Sequence, residues 1–172
     1  MATIKRIGFG QVEPNHLSAQ RNGQIYAQLP CAESIKVLEN GQFVKYDYPN
    51  GEVNFDGAGE WMLVMNEVKV YEPRETSKDF ALMTDDAFAS KIAPRVLATH
   101  VGDIFTTNCL EGANTSGKAT FQGTEDIAEK TVLKINANGF LSTKGTSEIE
   151  FTVVKVYTMP DGQQGVKVVR TK

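Results

Sequence analysis

Runs of β-branched and aromatic residues recur along this chain, and Gly, Pro, Asn or Asp interrupts nearly all of them before a helix of ordinary length is reached. Ile35-Lys36-Val37-Leu38 is followed by Glu39-Asn40-Gly41 and then by Gln42 to Tyr48. Asn-Gly between two apolar-rich runs is a strong hairpin signal, because both residues tolerate positive φ. Pro49-Asn50-Gly51 makes a further turn before Glu52-Val53-Asn54-Phe55, so three strands joined as a meander are expected. Asp56-Gly57-Ala58-Gly59 breaks the chain again ahead of a run from Trp61 to Tyr71. That run is longer than the usual strand of roughly five or six residues, which places a bend or bulge near Asn66-Glu67. Further on, Val101-Gly102-Asp103 leads into Ile104 to Thr107, and Thr131 to Ile135 reads as a strand. Glu148 to Thr158, the turn Pro160-Asp161-Gly162 and Val166 to Val169 form the clearest hairpin. Evenly spaced strands with so little helical period predict an all-β fold of two small barrel-like or sandwich-like lobes with an extended amino-terminal arm.

Val-Lys-Val-Tyr occurs at Val68 to Tyr71 and again at Val154 to Tyr157, an offset of 86 positions. Gly59, Leu63 and Met65 stand ahead of the first copy as Gly145, Ile149 and Phe151 stand ahead of the second, at the same offset. Two lobes built on one plan are the natural reading. Residues 101–107 share the turn-then-strand grammar of 40–46, but at an offset of 61, which assigns 25 additional residues to the second lobe. The Gly-, Thr- and Asn-rich stretch 111–139 is where they fit.

The expected division is an arm over 1–33, a first lobe over 34–80, a connector over 81–96 and a second lobe over 97–172 with the insertion at 111–139. In the arm, Ile25, Ala27 and Leu29 alternate with polar neighbours as one half-buried strand. The arm either packs on its own domain or crosses to a neighbouring subunit, and the residues leave both readings open. Thr84-Asp85-Asp86 would cap a short helix that Pro94 ends. Thr124 to Lys130 is expected to form a helical turn inside the insertion.

The chain has 172 residues, 18 Lys and Arg against 21 Asp and Glu, and a net charge of −3. That balance argues against nucleic acid as a main partner. No apolar run approaches the roughly 20 residues that span a bilayer, so a soluble protein with no membrane partner is expected. Met1 to Gly10 lacks the continuous apolar region of a secretory signal, which makes the cytoplasm the expected site of synthesis. Cys31 and Cys109 form no Cys-x-x-Cys and read as two reduced, partly buried thiols, although spacing leaves a bridge open.

No residue pattern advertises an enzyme, a cofactor or a metal. Gly112 to Lys118 matches the first seven positions of a phosphate-binding loop, but position eight is Ala119, which lacks the hydroxyl that ligates Mg²⁺. A surface loop explains it better. His16 and His100 are the only histidines, and neither lies in a metal-binding or general-base arrangement. Asp79, Asp85 and Asp86 lack the alternating ligands of a calcium loop. Asn114-Thr115-Ser116 fits a glycosylation acceptor, but it carries little meaning without a secretory signal.

Trp61, Tyr46 and Tyr48 are the aromatic residues that would make a platform for a sugar ring. Trp61 shares parity with Leu63 and Met65 and is expected to face inward, whereas Tyr46 and Tyr48 share a face and are the exposed candidates.

The arm from Ile4 to Asn15 and the run Leu38 to Tyr46 resemble small structural proteins encoded beside the major capsid protein of tailed bacteriophages. More loosely, the chain is similar to capsid decoration proteins, whose β lobes use the same glycine turns and Val-Lys strands. The resemblance covers residues 1–75. It implies a virion protein, made in the host cytoplasm, that binds the outside of the capsid shell as a decoration protein or fibre base. Its partners would be the major capsid protein and copies of itself, often as trimers. Ile4, Lys5, Arg6 and Phe9 of the arm are then the expected capsid or subunit contacts, with a carbohydrate or host-surface binding module using Tyr46 and Tyr48 as the alternative.

Overall fold

Phe43 and Val44 are both completely buried although they point to opposite faces of one strand, and this sets the layering of the protein. The structure, a computed structural model, describes residues 3–5, 10, 12–13, 29–66, 81–83, 93–111, 122–160, 162 and 164–172. Its strands are β1 (Thr3–Lys5), β2 (Val12–Glu13), β3 (Val37–Glu39), β4 (Phe43–Asp47), β5 (Glu52–Asn54), β6 (Met62–Val64) and β7 (Ala81–Met83). They continue as β8 (Val96–Ala98), β9 (Ile104–Thr107), β10 (Gln122–Asp126), β11 (Val132–Ile135), β12 (Leu141–Ser142), β13 (Glu150–Thr158) and β14 (Gln164–Arg170). The fold is all-β, with no helix among the described residues.

Two open sheets dominate, one in the order β5-β4-β6-β8 and one in the order β12-β11-β13-β14-β9-β2. Phe43, Leu63 and Leu97 of the smaller sheet pack against Phe105, Leu133, Phe151, Val153 and Val168 of the larger, so the two form a sandwich around one core. On the other face of the smaller sheet, Val44, Tyr46, Met62, Val64 and Val96 form a second core with Cys31, Ile35 and Leu38. Burial on both faces makes the four-stranded sheet the middle layer. Its strands therefore read as continuous apolar runs such as Met62-Leu63-Val64.

The two sheets share one plan. In each, a first strand hairpins into a second, a third returns to the far side of the first, and a fourth pairs with the third, all antiparallel. Seven residues separate the second and third strands in both cases, 55–61 and 143–149. A parallel bridge is added to each outer strand, Cys31 to Val53 and Leu110 to Leu141. Gly59 lies against the backbone of Tyr46, and Gly145 against the backbone of Lys134, so each unit has a glycine where its neighbouring strand leaves little room for a Cβ. The two glycines do not stand at equivalent places, since Gly59 is the fifth residue of 55–61 and Gly145 the third of 143–149, and the loops correspond at an offset of 88 where the sequence signature has 86. In this arrangement the equivalent of β4 is β11, in the stretch expected to be an insertion, whereas β9 is an added strand beside β14.

Several other expectations change. The Asn40-Gly41 turn forms, with Gly41 at φ +90°, but it does not close a hairpin. β3 pairs with β7, while Gly41 donates to the Val64 carbonyl and Val64 to the Gln42 carbonyl, so the chain turns a corner between sheets. The Gln42 side chain accepts from the Glu39 N–H and holds that corner shut. Thr124 to Asp126 belong to β10 and pair with β1 where a helical turn was expected. The long run from Trp61 is a strand only over Met62–Val64 among the described residues. Past it, the Asn66 N–H donates to Asn40 Oδ1 and Asn66 Oδ1 accepts from the Arg95 N–H. Position 97, the expected start of the second lobe, lies within β8 and pairs with Leu63. The first Val-Lys-Val-Tyr, the expected helix over 84–92 and the strand centred on 25–27 lie outside the described residues.

The hairpin turn after β11 docks on the start of β4. The Phe43 N–H donates to the Gly139 carbonyl at 2.7 Å, and the Gln42 side-chain amide donates to the Asn138 carbonyl at 2.7 Å. Gly139 has φ +77°, and a Cβ there would strike the Phe43 carbonyl oxygen. Gly51, in the corresponding turn after β4, has φ +67° and open space around it. Urea unfolding should therefore separate two substitutions that share the backbone penalty. Gly51→Ala is expected to cost about 1–2 kcal/mol, and Gly139→Ala clearly more, because the strained backbone and the clash act together.

Candidate functional site

The two equivalent loops, 55–61 and 143–149, face each other across the seam between the sheets and enclose a groove of about 390 Å³. Gly59, Glu60 and Trp61 form one wall and Thr146, Ser147, Glu148 and Ile149 the other, with Lys45 of β4 and Ile135-Asn136-Ala137 at the end of β11 completing it. Trp61 is half-buried and packs against the shared core, as its parity with Leu63 and Met65 predicts. The Lys45 ammonium sits 4.7 Å from the centroid of its ring, within cation–π range.

Part of this lining is committed to structure. Ser147 Oγ accepts from the Ile135 N–H at 2.9 Å and donates to the Ile149 carbonyl at 2.8 Å, tying the loop to β11. Asn136 Oδ1 accepts from the N–H groups of Asn138 and Phe140, both at 2.9 Å, which shapes the turn that reaches Phe43. Glu60 pairs with Arg170 at 3.2 Å, and the same guanidinium donates to the Thr99 carbonyl. The side chains of Lys45, Thr146 and Glu148 make no such hydrogen bond or ion pair among the described residues, and they line the groove with Trp61. The offset of 86 between Gly59 and Gly145 pointed to these two stretches in the sequence, although the loops correspond at 88, which sets Glu60-Trp61 against Glu148-Ile149.

Tyr46 and Tyr48 do adjoin, with ring centroids 5.4 Å apart and planes at 46°, so the shared face is correct. They do not form an exposed platform. Tyr46 is 2% exposed and belongs to the second core, whereas Tyr48 is 65% exposed. The expectation of two exposed rings fails because residues 31–38 cover that face of the sheet.

The expected arm contacts divide. Ile4 and Lys5 lie in β1, which pairs with β10 of the same chain, and Arg6 and Phe9 lie outside the described residues. Gly10 donates its N–H to Glu39 Oε2 at 2.5 Å, and β2 pairs with β9. His100 is exposed, its backbone N–H donating to Asp103 Oδ2 at 2.8 Å. Cys31 and Cys109 are free and buried, and burial, with a smaller push from Glu52, raises the Cys31 thiol to about 11. Asp47 is held below its ordinary value first by the Asn50 side-chain amide. Among the described residues no three His, Cys, Asp or Glu side chains converge as metal ligands. His16, Asp79, Asp85, Asp86, Gly112 to Lys118 and Asn114 to Ser116 lie outside the described residues.

No family model matches this chain, and neither the curated proteins nor the solved structures provide a match.

Truncating the two tyrosines should give opposite results in thermal and urea unfolding. Tyr46→Ala is expected to cost about 3–5 kcal/mol, in line with other large aromatic truncations in cores. Tyr48→Ala should stay within about 0.5 kcal/mol of the parent. Any loss of binding in Tyr46→Ala therefore reports on folding before it reports on a ligand.

Proposed function

We propose that this chain is a non-enzymatic structural protein of a tailed-phage particle, which binds the outer capsid surface as a decoration protein or fibre base. The observation that carries this reading is how its buried polar side chains are used. Glu39 receives the Gly10 N–H, Asn40 and Asn66 bracket the corner beside β6, and Asp103 caps the turn at His100. Each holds backbone in place, as in a scaffold that works through its edges and surface. The resemblance of residues 4–15 and 38–46 to capsid-associated proteins supplies the biological setting.

The arm supports the reading in a second way. β1 and β2 are very short strands that pair with β10 and with β9, and the intervening Gly10 ties to β3. Such strands contribute few ladder bonds, so their pairing is readily exchanged for an equivalent edge on a neighbour, as in domain swapping. The partners proposed are the major capsid protein and further copies of this chain, as a trimer on the shell, where symmetric repetition multiplies weak contacts through effective concentration. A carbohydrate or host-surface module built on Tyr46 and Tyr48 has less support, because the first ring is buried.

The protein should copurify with intact particles through a density gradient, and deletion of residues 2–20 should reduce its occupancy on the shell at least tenfold. Occupancy equal to that of the full chain would remove the arm from the attachment mechanism, and absence from particles altogether would overturn the capsid reading.

A further inference from the structure

We propose that the seam groove around Trp61 is a binding site for a neutral saccharide unit. The inference does not rest on where the protein is attached, and it moves the aromatic contact away from the tyrosines to the opposite face of β4.

The argument begins with the charges. Lys45 stands over the indole, Glu60 flanks it, and Glu148 lies on the facing loop. With Glu60 paired to Arg170, an anionic ligand stacked on the ring would approach the uncompensated Glu148, and a cationic one would meet the Lys45 ammonium already over that ring. A ligand without net charge but with many hydroxyl groups avoids both conflicts. It accepts from Lys45, donates to Glu148 and exchanges hydrogen bonds with Thr146, which are the groups left uncommitted in the lining.

Shape and stacking agree with this choice. A saccharide ring presents axial C–H groups to an aromatic face and hydroxyls around its rim, which matches a half-buried indole ringed by polar side chains. The groove lies within the volume range of roughly 300–1,000 Å³ that small-ligand sites occupy, and at about 390 Å³ it accommodates a short saccharide rather than a long chain. Lys45 is the movable part: its stem follows β4 while its ammonium caps the ring, so it can swing to the rim as the ligand seats. The walls cannot follow it. Ser147 and Asn136 fix the 146–149 loop and the turn after β11 through backbone hydrogen bonds, and Arg170 holds Glu60. Most of the site is therefore formed before any ligand arrives, which lowers the ordering cost of binding.

Trp61 is the sole tryptophan of the chain, so emission excited selectively from tryptophan, apart from the five tyrosines, reports this groove. Full-length protein would be screened against an array of neutral and anionic oligosaccharides, and the best neutral ligand titrated while the tryptophan emission is followed. Saturable change is expected, with affinity falling at least tenfold in Glu148→Ala and in Lys45→Met and staying within twofold in Tyr48→Ala, an exposed control outside the groove lining. Trp61→Phe should lose affinity similarly when followed by calorimetry. Glu148 is exposed and Lys45→Met keeps the packing stem, so these two variants remain informative if Trp61→Phe folds poorly. The proposal is overturned if no neutral saccharide perturbs Trp61 up to about 10 mM, a ceiling that already corresponds to very weak affinity. It is equally overturned if anionic ligands are preferred, or if Tyr48→Ala abolishes binding while Glu148→Ala leaves it intact. Capsid attachment, scored separately by copurification, stands or falls independently of these results.

Discussion

The two main sheets of this fold meet at Phe43. Its ring contacts Phe151 and Phe105 at centroid distances of 5.4 and 6.4 Å, while Phe105 and Phe151 meet edge to face at 5.5 Å. Those are favourable separations for aromatic pairs. Its backbone N–H lies at the end of a buried strand and donates to the Gly139 carbonyl of the opposite sheet. A buried N–H without a partner costs about 1–3 kcal/mol, and truncating a core phenylalanine about 3–5 kcal/mol, against a total stability of roughly 5–15 kcal/mol for a typical domain. One residue therefore couples the sheets through side chain and backbone together. Separating them would expose the rings and orphan the N–H in a single event, so the sandwich is expected to unfold as one unit across its seam.

The shared strand plan acquires meaning from that seam. Two units with the order second-first-third-fourth pack face to face, and their equivalent loops of seven residues come to lie opposite one another. The groove is thus a consequence of the repetition: neither loop would form it alone. The units are not used identically. The turn after β11 is buried against β4, while the turn after β4 carries exposed Tyr48 and leaves Gly51 in open space. Similar local chemistry shapes both, since Asp47 accepts from Asn50 as Asn136 accepts from Asn138. The larger unit is also extended by β9 and β2. Difference between the halves therefore resides in turns and edges, and the common part is the four-strand frame.

Much of this was legible in the sequence because strand alternation and turn chemistry are local. The strands at 43–47, 52–54, 104–107 and 132–135 and the hairpin of β13 and β14 follow from period-two patterning between glycine turns. Layering was not legible. The alternation that assigned Tyr46 and Tyr48 to one face was right, but nothing near them shows that residues 31–38, which precede β4, fold back over that face. Asn40-Gly41 misled for a related reason. A tight turn can return a strand beside its predecessor or carry it to another layer, and the choice here is made by Val64, Asn66 and Gln42, two of them more than twenty residues away. Likewise the offset of 61 drew β9 into the role of β4, because a glycine followed by a β-rich run is too common a grammar to fix topology. The offset of 86 came closer, within two residues of the 88 that relates the seven-residue loops, and each of its glycines does meet the backbone of a neighbouring strand.

Rigidity at the seam and weak pairing at the edge have a common physical origin. Buried Glu39, Asn40, Gln42 and Asp103 are spent on backbone at corners and turns, and this fixes the frame without long ladders at its margins. Glu39 illustrates the balance. A carboxylate 3% exposed is tolerated only with hydrogen bonds in place, and one of these comes from Gly10 of the arm. Removing the arm from its own chain leaves that carboxylate short of a donor. One buried side chain thus requires a donor where Gly10 now lies, and an arm N–H, another backbone N–H or a water can supply it.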